Sequence, residues 1–175
     1  INESVNENLL KKTNQGKTGW GYALQNGTRT IEDYEEDGIK GVKLTCTVAS
    51  TGWQYGSFYI DTPTLSRLKS ATNYIISFDI KSNIGERSIG VALKRGDSTN
   101  TIANEVKANI KGNETWEHFS VKLKTIADLS TITIGNQVVY ITGMSKVGYY
   151  AIRNIKLEEG EQESAYSKSP EDLAN

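Results

Sequence analysis

The chain has 175 residues, of which 37% are hydrophobic and 23% charged, with 20 Lys and Arg against 21 Asp and Glu for a formal net charge of −1. That length suits one domain with one sizeable core, while the near-neutral balance gives no electrostatic footprint for nucleic acid or an anionic membrane. No apolar run approaches the ~20 residues of a membrane-spanning helix, and the N-terminus lacks the basic-then-apolar pattern of a signal peptide, so a soluble module of something longer is expected, with neither nucleic acid nor membrane as partner.

Taken in chain order, the first distinctive stretch is Thr18-Gly-Trp-Gly-Tyr22. Two rings between glycines predict a loop in which an exposed ring has little structural purpose, and this makes Trp20 and Tyr22 candidate ligand contacts. A strand is expected over 41–48, where alternation puts Val42, Leu44, Cys46 and Val48 on one apolar side. Cys46 is the only cysteine and reads as a small buried hydrophobe; with no second thiol the fold must hold without an internal disulfide.

The next strand, 55–60, carries the most informative residues. In Trp53-Gln-Tyr-Gly-Ser-Phe-Tyr59, period two sends Trp53, Tyr55, Ser57 and Tyr59 to one side and Phe58 and Ile60 to a core. Rings on both faces exceed what one core needs. A pyranose, whose axial C–H groups settle on an aromatic face while its hydroxyls need polar neighbours, gives the outer rings a purpose.

Ser66–Ala71 is expected to form a helical turn at most. The strand over 73–82 shows two faces: Tyr74, Ile76, Phe78 and Ile80 inward, Ser77, Asp79 and Lys81 outward. In 87–95, Ile89, Val91 and Leu93 point inward and Gly90, Ala92 and Lys94 outward, which predicts a shallow trough. If that trough adjoins the Trp53/Tyr55/Tyr59 face, the two make a saccharide cleft with Asp79, Lys81 and Lys94 available to hydroxyls; the plainer reading of such residues is a solvated face. Further strands are expected over 104–110, 116–124, 131–134, 137–142 and 147–158, with a second helical turn at Thr125–Ser130. Trp116 opens a strand whose Phe119, Val121 and Leu123 point inward, so it reads as a rim or core anchor.

Many short alternating strands without βαβ alternation predict an all-β, two-sheet antiparallel jelly-roll sandwich. An immunoglobulin-like sandwich is the alternative, but its Cys…Trp…Cys signature is absent.

Catalytic chemistry is sparse. The only histidine, His118, has no cysteine or second histidine to complete a zinc site, and no Gly-x-Ser-x-Gly elbow occurs. Gly96-Asp97-Ser98 reads as a turn. A glycosidase pair could be drawn from Asp61, Asp79, Glu105 and Glu117, yet spacing selects no two of them, so a non-enzyme is expected. Asn-x-Ser/Thr triplets at Asn2, Asn26 and Asn113 matter only if a eukaryotic secretory cell makes the chain.

At the two ends the residues resemble a known group. Asn8-Leu9-Leu10 with Gly19-Trp20, and the run Tyr149-Tyr-Ala-Ile-Arg-Asn-Ile-Lys-Leu-Glu-Glu-Gly160, are similar to the opening and closing strands of carbohydrate-binding modules grouped with cellulase families 4, 9 and 22. Gln162-Glu-Ser-Ala-Tyr-Ser-Lys-Ser-Pro-Glu-Asp172 resembles a tail recurring in tail and baseplate proteins of phages of Gram-positive bacteria. Gly52-Trp53 and Tyr74 to Phe78 also fit, so the resemblance covers nearly the whole chain. It departs at Tyr166, where the tail pattern usually has Trp, and at Asn154, where the modules often carry an Asp that helps bind a structural Ca²⁺. Asn removes one formal charge from such a site, so no cofactor is expected and a Ca²⁺ near Asn154 stays an open alternative.

The resemblance implies a non-catalytic sugar-binding module (residues 1–160) followed by a linker (161–175), on a virion and acting outside the host cell. Its partners would be host cell-wall polysaccharide and the rest of a larger tail or baseplate protein. The competing expectation is a structural spacer or protein-docking sandwich with no ligand of its own.

Overall fold

Alternating apolar residues become strands because an extended chain can bury one face and pair its backbone sideways. The computed structural model describes residues 5–23, 26–49, 57–61, 68–94, 101–130, 132, 137–142 and 146–173. These form β1 (Trp20–Ala23), β2 (Thr28–Glu36), β3 (Ile39–Val48), β4 (Ser57–Asp61), β5 (Asn73–Ser82), β6 (Arg87–Lys94), β7 (Thr101–Ile110), β8 (Glu117–Lys124), β9 (Gln137–Thr142) and β10 (Gly148–Glu159). Two five-stranded antiparallel sheets result, ordered β1-β4-β9-β6-β7 and β2-β3-β10-β5-β8, which is the expected jelly-roll sandwich.

The core lies between the sheets. Ile89, Val91, Leu93, Val139 and Ile141 of the first sheet meet Val42, Leu44, Ile76, Phe78, Ile80 and Ile152 of the second, all within 1% of complete burial. The inward stripes expected on β5 and β6 are the ones observed. Cys46 is free and buried, as expected. At one edge Ala103 of β7 bridges to Thr125 after β8, which ties the two sheets together.

Several expectations are corrected. Of the loop expected over Thr18–Tyr22 only 18–19 is a turn: Trp20–Ala23 is an edge strand paired with β4, and Trp20 is partly buried against the core. β2 was not expected, because Thr-Arg-Thr-Ile-Glu-Asp-Tyr-Glu-Glu lacks an apolar stripe; it forms as the outer arm of a hairpin whose two-residue loop is Asp37-Gly38, both at positive φ (55° and 78°). Neither helical turn appears among the described residues of 66–71 and 125–130, where turns and a bridge replace them. The expected strand 131–134 lies outside the described residues except for Ile132, which is in a bend.

Two features position the site. β10 must bury Tyr150 and Ile152 and then Ile155 and Leu157, a phase slip that strict alternation forbids. A bulge between Arg153 and Lys156 absorbs it, with Asn154 in the left-handed region at φ 54°. Asn tolerates that conformation better than most residues.

The second feature is the C-terminal segment. Instead of a tether, 161–173 is folded back onto the molecule. Asn8, fully buried, donates from Nδ2 to the carbonyls of Ile155 and Ser167, while its Oδ1 accepts from the N–H groups of Leu10 and Leu157. Lys156 and Glu158, both fully buried, hold Ser164 and Ala165: Lys156 Nζ donates to Ser164 Oγ (2.9 Å) and the Ala165 carbonyl (2.7 Å), and Ser164 donates to Glu158. Tyr166 Oη meets Thr13 Oγ1 at 2.7 Å, and Asp172 accepts from the Lys12 N–H at 2.8 Å. The Tyr-Ser-x-Ser-Pro-Glu-Asp run thus closes the N-terminal segment onto the sandwich.

Candidate functional site

The richest arrangement of polar and aromatic side chains among the described residues covers the outer face of the β2-β3-β10-β5-β8 sheet. Its layout follows from register. Tyr34 on β2 lies opposite Gly41, Gly41 opposite Arg153, Arg153 opposite Asp79 and Asp79 opposite His118, so one row crosses all five strands. The neighbouring row places Glu32, Lys43, Ala151 and Lys81 side by side. Gly41 leaves the room this row needs: a Cβ there would stand 2.4 Å from the Ile152 carbonyl oxygen and 3.0 Å from Arg153 Cβ.

Glu36 organises the aromatic half. Its carboxylate accepts from Lys81 Nζ (2.8 Å), Tyr34 Oη (2.8 Å) and Trp116 Nε1. The bonds from Lys81, Trp116 and Tyr34, in that order, hold it down at a pKa of about 2. Lys81 is pushed upward, chiefly by the same bond. Tyr34 is raised, first by burial and then by its bond to the carboxylate. Around this hub, Arg153 stacks on the Trp116 ring with its guanidinium carbon 3.9 Å from the centroid, and Tyr34 tilts against the same indole at 6.3 Å. Lys43 Nζ sits over both Tyr149 (4.7 Å) and Tyr34 (5.7 Å). Tyr34, Trp116 and Tyr149 are all half-buried, neither core nor free.

Beyond Arg153 the surface turns polar. Its Nε is 3.8 Å from Asp79 Oδ2, which also accepts from Asn154 Nδ2 at 3.2 Å. Asp79 Oδ1 is 2.7 Å from His118 Nδ1, and the other ring nitrogen, Nε2, is 2.8 Å from Glu163 of the C-terminal segment. Hydrogen bonding to Asp79, then to Glu163, raises the pKa of His118 against the opposing effect of burial. Between sheet and C-terminal segment lies a cavity of about 800 Å³ lined by Ser77, Asp79, His118, Asn154, Gln162 and Tyr166 among others.

Of the residues expected to bind, Asp79 and Lys81 belong to this face. Trp20, Tyr22, Tyr59 and Lys94 do not: their strands β1, β4 and β6 form the opposite sheet, so Asp79 and Lys81 do not share a sheet with Tyr59 and Lys94, the residues with which a cleft was conditionally expected. Tyr59 is paired with Tyr140, and Gly21 with Tyr59, but the side chains of Tyr22 and Tyr59 are outside the described set, as are Trp53 and Tyr55 entirely. The trough expected from Gly90 and Ala92 is not open, since both are buried, and Ala92 lies beside the buried Tyr140.

Sequence reasoning missed Tyr34, Glu36, Lys43, Tyr149 and Arg153, and read Trp116 only as an anchor. One signal was present: adjacent tyrosines in a strand face opposite ways, so with Tyr150 buried in the core Tyr149 had to face out.

The candidate carboxylates are divided between the two sheets. Asp79 is on the second sheet, Asp61 and Glu105 on the first, and Glu117 accepts from the N–H groups of Lys111 and Gly112 in the turn before its own strand. Nor do the described residues around Asn154 suit Ca²⁺. The Asn154 amide nitrogen is turned to Asp79, and no group of three or more His, Cys, Asp or Glu able to hold a metal occurs among the described residues. No helix among them is long and apolar enough to cross a membrane.

Neither a scan of protein-family profiles nor a search of curated proteins finds a match. Solved structures do match. A family 4 carbohydrate-binding module is similar over 91% of this chain and 99% of its own, at 16% identity and a TM-score of 0.56. The family 11 carbohydrate-binding module from Clostridium thermocellum, solved in complex with a β-1,3-1,4-mixed-linked tetrasaccharide, is similar over 91% and 99% at 18% identity and 0.53. The enzymatically active domain of tailspike protein 4 of bacteriophage CBA120 is similar over 91% of this chain at 13% identity and 0.57, but this chain spans only 22% of it. The fold is therefore the jelly-roll sandwich that carbohydrate-binding modules use.

Proposed function

We propose that the chain is a non-catalytic carbohydrate-binding module of a phage tail or baseplate protein, and that it binds host cell-wall polysaccharide, outside the cell, on the outer face of the β2-β3-β10-β5-β8 sheet. The observation that carries this is the band of half-buried rings, Tyr34, Trp116 and Tyr149, set among Glu36, Lys43, Lys81 and Arg153 and continuous with the polar cavity at Asp79 and His118. Rings fixed by neighbouring cations lose little freedom when a pyranose settles against them, and the surrounding charged groups meet its hydroxyls. The phage context is supported by the C-terminal motif and by the tailspike among the similar structures.

A single site of this kind is weak, because stacking contributes only ~1 kcal/mol per contact and much of the ligand stays wet. Several copies on one tail would raise avidity by about two to four orders of magnitude.

The platform expected around Trp53, Tyr55 and Tyr59, with Trp20, Tyr22 and Lys94, is the second reading; β1 and β4 bring Trp20, Tyr22 and Tyr59 to one edge of the opposite sheet, but Trp20 and Tyr22 stand opposite Ile60 and Phe58 while Tyr59 stands opposite Gly21, so Tyr59 takes the alternate register position. Calorimetric titration with purified host cell-wall polysaccharide separates the two. Loss of binding in Tyr149→Ala and Tyr34→Ala, with binding kept in Trp53→Ala and Tyr55→Ala, supports the proposed face. The reverse pattern moves the site to Trp53 and Tyr55, and no binding by the wild-type protein leaves a structural spacer.

A further inference from the structure

We infer that His118 is a proton-operated latch that pins the strap Gly160–Ser164 over the cavity when protonated and frees it when neutral. The inference rests on the proposed function only in taking that cavity as part of the glycan-binding face.

The geometry requires a charged ring. His118 Nδ1 is 2.7 Å from Asp79 Oδ1, and Nε2 is 3.0 and 2.8 Å from the two oxygens of Glu163. Ionised carboxylates only accept hydrogen bonds, so both ring nitrogens must donate, and only imidazolium does that. Neutral imidazole can keep one of the two bonds. The Asp79 bond joins residues on paired strands, opposite each other in register. The Glu163 bond spans two segments, so it is the one to break, leaving the Nε2 lone pair facing a carboxylate.

The strap is built to move between fixed ends. Gly160, at φ 134°, donates its N–H to the Asn73 carbonyl at 3.0 Å, and Ser164 is held by Glu158 and Lys156. Between these anchors Glu161 makes a bond from Asn73 Nδ2 (2.8 Å) and a 4.0 Å ion pair with Lys122, both exposed, and Glu163 reaches only His118 among the described contacts.

Asp79 from β5 and Glu163 from the strap contact His118; Arg153 of β10 stands behind Asp79, Glu161 of the strap pairs with Lys122 further along β8, and the buried Lys156–Glu158 pair holds Ser164. The two contacting carboxylates outweigh the more distant cations, consistent with the upward shift of His118. A group whose pKa rises on docking stabilises the docked form fully below its free value and loses that contribution as pH climbs through the raised one. The strap is therefore closed in acid and loosened in alkali.

Amide relaxation and imidazole nitrogen shifts, measured at about pH 5 and about pH 9 on either side of the histidine range, test this without ligand. In the wild type, order parameters at residues 161–163 should fall from ~0.85 to below ~0.6 as His118 deprotonates. Glu163→Gln should keep them high at both pH values, because a Gln amide can donate to neutral Nε2 while imidazolium can still donate to its carbonyl. Glu163→Ala should leave them low at both. Wild-type order parameters that do not change with pH, or a Glu163→Gln strap that still loosens in alkali, overturn the latch. Either result leaves sugar binding intact as a reading, whereas absence of polysaccharide binding removes that reading and leaves the latch.

Discussion

Arg153 lies over the Trp116 ring, its guanidinium carbon 3.9 Å from the centroid, and so joins β10 to the start of β8 across the intervening β5. The same guanidinium donates from Nη1 to the Glu36 carbonyl at 3.3 Å, bringing β2 into the arrangement. One planar cation thus fixes three separate parts of the outer face. Arg153→Ala should destabilise the protein by about 1–2 kcal/mol in urea titrations, the range for a partly desolvated cation–aromatic pair, and weaken polysaccharide binding. Arg153→Lys keeps the charge but not the plane, and should recover less than half of either loss.

Acid should act through Glu36. Its pKa of about 2 lies below the ordinary 4.5, so the carboxylate network contributes stability that is present above pH 4.5 and is lost as pH falls from there toward 2. Glu36→Gln should lower stability at neutral pH and flatten that acid limb. Denaturation midpoints measured across the range check it, and an acid limb of unchanged steepness in the variant would show that other carboxylates carry it.

The fold was legible because the inward stripes of β5 and β6 announce themselves by alternation, and burial enforces them. β2 was not legible, since Glu32, Asp33, Glu35 and Glu36 fall on both of its faces and leave no apolar stripe; the signal was the Asp37-Gly38 pair, a hairpin turn that sequence reading passed over. The candidate site was legible in part. Asp79 and Lys81 were chosen because they face outward from a clear strand, but their partners come from β2, β8 and β10, and register between distant strands cannot be read from local pattern. The C-terminal segment looked like a tether because it is rich in Glu, Ser and Lys, whereas part-buried bonds from the side chains of Asn8 and Lys156 to its backbone carbonyls fix it.

Two glycines near the site should respond differently to alanine. At Gly41 the new Cβ would meet the Ile152 carbonyl at 2.4 Å, a backbone atom of the paired central strand that cannot move alone. Gly41→Ala should cost about 2–4 kcal/mol and disturb the Arg153 stack, seen as a changed Trp116 emission. At Gly38 nothing lies within 4 Å, and only the backbone angle of +78° objects. Gly38→Ala should cost about 1–2 kcal/mol, the penalty of a left-handed residue, and leave the emission unchanged.

Asn8 offers the sharpest test of how the C-terminal segment is held. Its fully buried side chain serves two backbone N–H groups and two carbonyls at once, those of Leu10, Leu157, Ile155 and Ser167. Asn8→Ala deprives all four, and with about 1–3 kcal/mol for each buried group left unsatisfied the loss should reach at least about 3 kcal/mol. Asn8→Asp separates donor from acceptor. The carboxylate can still accept from Leu10 and Leu157, but its second oxygen faces the Ile155 and Ser167 carbonyls with no proton between them. Folding should therefore raise the pKa of the new Asp, and the variant's deficit relative to wild type should shrink as acid protonates it. Urea titrations of both variants between about pH 3 and about pH 7, a range that spans the carboxylate titration, measure this. A deficit for Asn8→Asp that stays constant across that range would mean that the two carbonyls do not depend on the Asn8 amide.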